Sequence, residues 1–217
     1  MPGAFIVVEG PEGAGKTTLV TRLAARLRRA GHDVVEVREP GGTPLAEVAR
    51  RAALDPELLA SPVAELFLML TARADLVAKV IRPSLDAGRV VVSDRFDLST
   101  EAYQIAGRGL SRDAVLVANR LATGGLKPTL TLVLDVPVGV GQSRLRASGK
   151  APDRIESDEA ELHERVARAF SEARGAGVKH LDALAGPDVV EERAWEVVET
   201  ALGKHWSGKR VQHRTGR

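Results

Sequence analysis

Residues Gly10-Pro11-Glu12-Gly13-Ala14-Gly15-Lys16-Thr17 fit the spacing G-x-x-x-x-G-K-[ST] in full, and Thr18 follows in the same turn. The glycines let the backbone curl around a phosphate with its N–H groups pointing inward. Lys16 can reach the β- and γ-phosphates of a nucleotide, and the hydroxyl of Thr17 is suited to Mg²⁺. The alternative is a tight turn that matches by accident. The flanks argue against it, because an apolar strand precedes the motif and a helical pattern follows. The chemistry implied is nucleotide binding, but the motif alone does not choose among GTPases, motor ATPases and small-molecule kinases. No Asn-Lys-x-Asp guanine signature occurs in the chain.

A second set of residues suits a second anion. Arg38 and Arg95 each stand just beyond a strand, where α/β sheets place ligands. Arg144, Arg146, Lys150 and Arg154 surround the loop at 148–152, whose glycine and proline interrupt two helices like a lid that excludes water. Each arginine taken singly has a solvated surface charge as its alternative. Asp94 follows Val90–Ser93 in the position that orients Mg²⁺ through water, or else it caps the next turn. The five histidines fall in turns, on helix surfaces or in the tail, so no general base stands out. An alcohol acceptor wants such a base. A phosphate monoester, with a second pKa of about 6, is already ionised at neutral pH. The residues therefore lean toward phosphoryl transfer onto a phosphate.

Strands and helices alternate along the chain to carry these groups. Strands are predicted at 4–9, 33–38, 89–93, 130–135 and 178–182, each short, apolar and rich in β-branched residues. Helical patterns cover 17–30, 44–53, 62–81, 98–105, 111–122, 139–147, 158–174 and 188–202. In the longest, Val63, Leu66, Phe67, Leu70, Ala74, Val77 and Ile81 keep the spacing of a core face. Unbroken strands between helices predict a five-stranded parallel sheet covered on both faces, a three-layer P-loop NTPase fold with a short lid at about 144–156. Residues 1–203 form one domain in this reading, and 204–217 a disordered basic tail.

Composition sets the limits. The 217 residues carry 31 Lys and Arg against 29 Asp and Glu, and the sequence pI is near 9.1. Five of the cations (Lys204, Lys209, Arg210, Arg214 and Arg217) lie in the last fourteen residues; without them 26 cations face 29 anions. The body is mildly acidic and the basic character belongs to the tail. The absence of cysteine excludes disulfide scaffolds, Cys-ligated zinc and thiol catalysis. No apolar run approaches the roughly 18 residues of a membrane span, so a cytoplasmic location and no membrane partner are expected.

Together, Glu9–Thr18, Arg38-Glu39-Pro40-Gly41-Gly42-Thr43, Asp94-Arg95-Phe96, the segment from Asp97 to Ala102-Tyr103-Gln104, and Asp153-Arg154-Ile155-Glu156 closely resemble bacterial thymidylate kinases. The resemblance runs in order from residue 4 to about 202. It implies the reaction ATP + dTMP giving ADP + dTDP with Mg²⁺, and a homodimer. It also implies that Arg95 with Arg38 clamps the acceptor phosphate, that Glu12 accepts from the deoxyribose 3′-hydroxyl, and that Arg73 donates to thymine O4. Thr100 then meets the base N3 edge, Tyr103 crowds a ribose 2′-hydroxyl, and Gln104 lies within the same dTMP site. The position four before Arg73, a stacking phenylalanine in the family, is Met69. Members whose P-loop lacks a cation before the lysine carry catalytic arginines in the lid. This implies that Arg154 supplies transition-state charge, with Arg144 or Lys150, and that Arg144 serves ATP. Two other readings stay open. One is a kinase for another nucleoside monophosphate or a deoxynucleoside; the other is a non-catalytic nucleotide-binding module whose tail holds nucleic acid.

Overall fold

The computed structural model describes residues 3–149 and 153–212. Its centre is β1 (Ala4–Glu9), buried along its whole length. The other strands are β2 (Val34–Arg38), β3 (Val90–Asp94), β4 (Leu130–Asp135) and β5 (Val178–Asp182). They form one sheet in the order β2-β3-β1-β4-β5, and every neighbouring pair is parallel. The expected five-stranded parallel sheet is therefore present. The register pairs Val8 with Asp94 and Arg38 with the same Asp94, which gathers the carboxyl ends of three strands at one edge.

Alternation along β1 explains the three layers. Ala4, Ile6 and Val8 face one side and pack with Leu19, Leu23 and Leu27 of α1 (Lys16–Arg29) and with Val190, Ala194 and Val198 near the chain's end. Phe5 and Val7 face the other side, against Val37, Leu76, Ile81 and Phe96. The Phe5 and Phe96 rings meet edge to face, with centroids 4.8 Å apart. Each fully buried aliphatic side chain of this kind contributes about 1.5–3 kcal/mol.

The remaining helices are α2 (Pro44–Leu54), α3 (Pro62–Leu76), α4 (Arg82–Asp86), α5 (Asp97–Thr100), α6 (Arg112–Thr123), α7 (Val138–Ala147), α8 (Ala160–Glu172) and α9 (Pro187–Gln212). Thr43 and Ser61 cap α2 and α3, accepting from the N–H groups of Ala46 and Ala64, and a proline opens each first turn. Two stretches widen into π-helix, Val77–Ile81 and Glu101–Gly107. The first lies just before Pro83, which has no N–H to donate, and there the Arg82 N–H reaches back to Val77. The predicted single helix 62–81 is thus a helix and a wide turn, and the short helix α4 continues the path beyond it.

Two expectations are corrected. Val63 and Phe67 do not belong to the core: they are 50% and 59% exposed, while Leu66, Leu70, Val77 and Ile81 are buried. The helix turns instead to bury Glu65 and Arg73, which bond across the cleft described below. The last helix does not stop at Leu202, because helical backbone continues to Gln212. The first nine residues of the expected disordered tail are therefore helical, and residues 213–217 lie outside the described ones. Lys150, Ala151 and Pro152 of the expected lid lie outside them too.

Candidate active site

The turn between β1 and α1 has backbone that only glycine enters freely, with φ near +95° at Gly15. Gly13 and Gly141 also stack backbone on backbone, so a Cβ on either would overlap the other segment. This contact seats the phosphate loop against α7. Lys16 is buried and donates from Nζ to the Pro11 carbonyl at 2.7 Å. Burial, and then the positive charge of Arg95, push its ammonium down to about 8 against the pull of Glu12, Asp94 and Glu9. At the top of β3, Asp94 accepts from the Thr17 hydroxyl at 2.5 Å.

Arg95 follows with φ at +75°, a conformation that costs a side-chain-bearing residue about 1 kcal/mol or more. Its guanidinium donates to Glu12 Oε1 (2.5 Å), Tyr103 Oη (3.2 Å), Ser99 Oγ (3.0 Å) and the Gly10 carbonyl (3.2 Å). Tyr103 also donates to Glu12 Oε1 at 2.8 Å. Burial works to raise the Glu12 carboxyl, but Arg95, Lys16 and the Tyr103 hydroxyl outweigh it and hold it at about 2. Burial drives the Tyr103 phenol well above its ordinary range. The acid inside the phosphate loop therefore stays ionised, with its charge matched by the arginine beside it.

Beneath Arg95 lies Glu9, with no exposed surface. Its Oε1 accepts from the Phe96 N–H (2.8 Å) and the Ser99 N–H (3.1 Å), and Oε2 accepts from the Ser99 hydroxyl (2.6 Å). Burial raises this carboxyl to about 7 even against Arg95 and its three donors.

A cleft of about 580 Å³ joins these groups to a second constellation. Arg73 is held by the Glu39 carboxylate (2.6 Å), Thr100 Oγ1 (2.5 Å), Asn119 Oδ1 (2.8 Å) and the Phe96 carbonyl (2.8 Å). Its guanidinium also lies over the Phe96 ring, 5.2 Å from the centroid. Four of its five N–H groups are engaged, and one on Nη2 is left for a ligand. Met69, Thr100, Tyr103 and Gln104 border the same cleft. Gln104 donates to Glu65 Oε1 at 2.9 Å.

The sequence-predicted cations divide. Arg38 lines the cleft, donating to Glu47 (2.9 Å) and the Pro40 carbonyl (3.3 Å). Arg144 lines it too, donating to the Ala183 carbonyl at 2.9 Å. Arg154 lies elsewhere, on Glu65 (2.6 Å) and the Ala53 carbonyl (2.9 Å), bridging its own segment to α2 and α3. Among the described residues no histidine lines the cleft.

Sequence reasoning missed Arg50, which lines the cleft and donates to the Pro40 carbonyl at 2.8 Å. Burial, then Arg38, lower its affinity for a proton, as expected of cations gathered without their anion. Its signal is the small-residue stripe Ala46 and Ala49, which lets α2 lie against Ala72 of α3 and brings Arg50 over the loop. Glu39, Asn119 and Glu65, which fix the arginines, were missed as well, since nothing in their local sequence tells what they face.

The chemistry of the donors suits Mg²⁺. Thr17 and Asp94 offer hard oxygens beside the phosphate loop. Among the described residues no cluster of three or more His, Cys, Asp or Glu could hold an ion alone. An Mg²⁺ ion held there would take its remaining ligands from a nucleotide's phosphates and from water, which is the usual habit of this ion.

A parallel three-layer sheet with a phosphate loop at its switch point, facing a second arginine-lined anion site, defines a P-loop nucleotide kinase. Comparison with known proteins narrows the class. The family model described as thymidylate kinase matches residues 8–194. Thymidylate kinases of Deinococcus radiodurans and Thermomicrobium roseum are 44% and 45% identical to this chain, covering 90% and 91% of it and 96% and 95% of their own lengths. That of Pseudomonas entomophila is 50% identical over 81% of this chain and 83% of its own. The crystal structure of thymidylate kinase from Ehrlichia chaffeensis superposes with a TM-score of 0.75 at 27% identity, over 91% of this chain and 100% of that one. The chain belongs to the thymidylate kinase family.

Proposed function

We propose that the protein transfers the γ-phosphoryl group of ATP to dTMP, giving ADP and dTDP. The observation that carries this reading is one cleft shared by a phosphate loop, a second group of cations and a pinned arginine with one spare donor. The N–H groups from Gly10 to Thr18 wrap the donor phosphates, Lys16 reaches the transferring group, and Arg144 adds charge on the ATP side. Arg95, Arg38 and Arg50 hold the acceptor phosphate. Two polyanions are thereby brought within bonding distance, which needs cations from both sides. The acceptor is already ionised near neutral pH, so no base is required.

The nucleoside is read by the remaining groups. Glu12 Oε2, which makes no hydrogen bond among the described residues, accepts from the 3′-hydroxyl. Tyr103 fills the 2′ side and favours deoxyribose. The spare Nη2 N–H of Arg73 donates to thymine O4 and opposes the amino group of cytosine. Thr100 Oγ1 keeps a lone pair for N3–H, Gln104 borders the base, and Met69 lies against the ring one helical turn before Arg73. Arg154 leaves Glu65 when the lid closes and adds charge at the transferring phosphoryl group. Thr17 directly, and Asp94 through water, would hold Mg²⁺. Bound there, the ion draws off phosphate charge.

The active form is a homodimer in a single-domain, cytoplasmic protein. Exposed Leu45 and Val48 of α2, Val63 and Phe67 of α3, and Val117 and Leu121 of α6 support it, because α3 packs against both α2 and α6 and all three helices present apolar side chains to solvent. Transfer is tested with γ-labelled ATP, Mg²⁺ and dTMP. Label is expected in dTDP and is lost, by about a hundredfold or more in rate, in Lys16→Ala. Label that never enters dTDP overturns the reading.

A further inference from the structure

Glu9 breaks the pattern of its own strand. By alternation it shares the face of Phe5 and Val7, and an apolar residue is expected against Phe96. A carboxylate there, with 0% of its surface exposed, carries a large desolvation cost unless its donors are specific. The donors are specific, and all three lie just after Arg95. Phe96 N–H and Ser99 N–H take Oε1, and the Ser99 hydroxyl takes Oε2. The same Ser99 oxygen then accepts from Arg95 Nη1 at 3.0 Å. On the preceding side, the Arg95 N–H is held by the Val8 carbonyl at 3.0 Å. The last two residues of β1 thus grip the chain on both sides of a left-handed arginine and, through one hydroxyl, orient its guanidinium.

We propose that Glu9 is a positioning residue for the phosphoryl acceptor, acting through Ser99 to hold Arg95 in its strained backbone and aim its guanidinium at the acceptor phosphate. The proposal rests on the reading of Arg95 as the clamp on that phosphate. Glu9 is sealed away from the cleft, whereas Ser99 borders it, so an Arg95→Lys background separates a direct contact of Ser99 from its action through Arg95. Their effect falls on the acceptor's phosphate and on neither its base nor ATP. A carboxylate is needed because only it accepts at both oxygens. A neutral amide at position 9 presents N–H to Ser99 and reverses the relay, leaving the serine proton without its acceptor.

Ser99→Ala removes the relay and spares the two amide bonds; Glu9→Gln reverses it. Both are milder than Glu9→Ala, which opens a cavity in the core. Kinetics are measured with whichever nucleoside monophosphate the unaltered protein phosphorylates fastest, so a wrong base assignment leaves the test intact and is seen separately in that choice. Each variant is expected to raise KM for the monophosphate about tenfold, with KM for ATP unchanged. The inhibition constant of the matching nucleoside, which lacks the phosphate, stays within about twofold. In an Arg95→Lys background, Ser99→Ala has less than about a twofold further effect, because the group it positions is gone. If no monophosphate is turned over, amide exchange decides without substrate. Glu9→Gln is then expected to speed exchange at Phe96 and Ser99 about tenfold while the β1 amides hold their rate. Unchanged monophosphate KM in both variants, a nucleoside inhibition constant that rises in parallel, full effect in the Arg95→Lys background, or unaltered exchange overturns the proposal.

Discussion

Lys16 and Arg73 show how burial turns a charge into an instrument. The Lys16 ammonium, lowered to about 8 by burial and Arg95, recovers its proton affinity when phosphates arrive. The complex then binds more protons than the free protein above pH 8, so ATP affinity falls as pH rises. KM for ATP, measured from pH 7 to 9.5 at saturating Mg²⁺, is expected to climb from about pH 8; a flat profile contradicts the assignment. Arg73 and Glu39 are a buried pair, with side chains 4% and 3% exposed. Arg73→Met strands the carboxylate and is expected to cost about 3–5 kcal/mol in denaturant unfolding, of which the double variant with Glu39→Gln regains a large part. Additive losses would show that the two are not coupled. Arg154→Ala is expected to lower kcat about a hundredfold while changing KM for dTMP less than threefold. A pure loss of dTMP binding would instead leave it as the structural tie to α3 that its bond to Glu65 makes.

Elements differ in how far their sequence speaks. The phosphate loop was legible because its chemistry dictates residue types at fixed spacing, and the strands because both-face burial writes unbroken β-branched runs. The face of α3 was not legible. Periodicity marks an apolar stripe, but Val63 and Phe67 are apolar for an outer surface while Glu65 and Arg73 are buried as partners in ion pairs. The π-helical turn Glu101–Gly107 was hidden too, although it carries Tyr103 and Gln104 into the cleft, since no residue type marks such a turn. The roles of Arg38, Arg95 and Arg73 came from motif resemblance; Glu12, which holds Arg95, and Glu39 and Asn119, which hold Arg73, come from distant segments. At this scale Gly141 offers a direct check. Any Cβ there meets the Glu12 carbonyl, which cannot yield without moving the phosphate loop. Gly141→Ala is expected to raise KM for ATP about tenfold and to cost about 1–3 kcal/mol. Unaltered ATP kinetics would mean the loop is not seated by α7.

For the whole molecule, the proposed dimer rests on the exposed apolar side chains of α2, α3 and α6. Phe67→Glu is expected to shift the sedimenting species from dimer to monomer at micromolar concentration; a parent that is already monomeric would contradict the proposed dimer. The pI near 9.1 first suggests a nucleic-acid partner, yet the cations that matter are a few arginines and Lys16 inside a body of net negative charge. In the proposed function the cleft is built for thymine on a deoxyribose phosphate. The most direct measurement is kcat/KM for dTMP, dUMP, dCMP, dGMP and thymidine side by side, with ATP and Mg²⁺. Turnover is expected to be fastest with dTMP, slower with dUMP, at least about a hundredfold slower with dCMP, whose amino group faces the spare Arg73 donor, and absent with thymidine. Faster turnover of dCMP, dGMP or thymidine than of dTMP would contradict it.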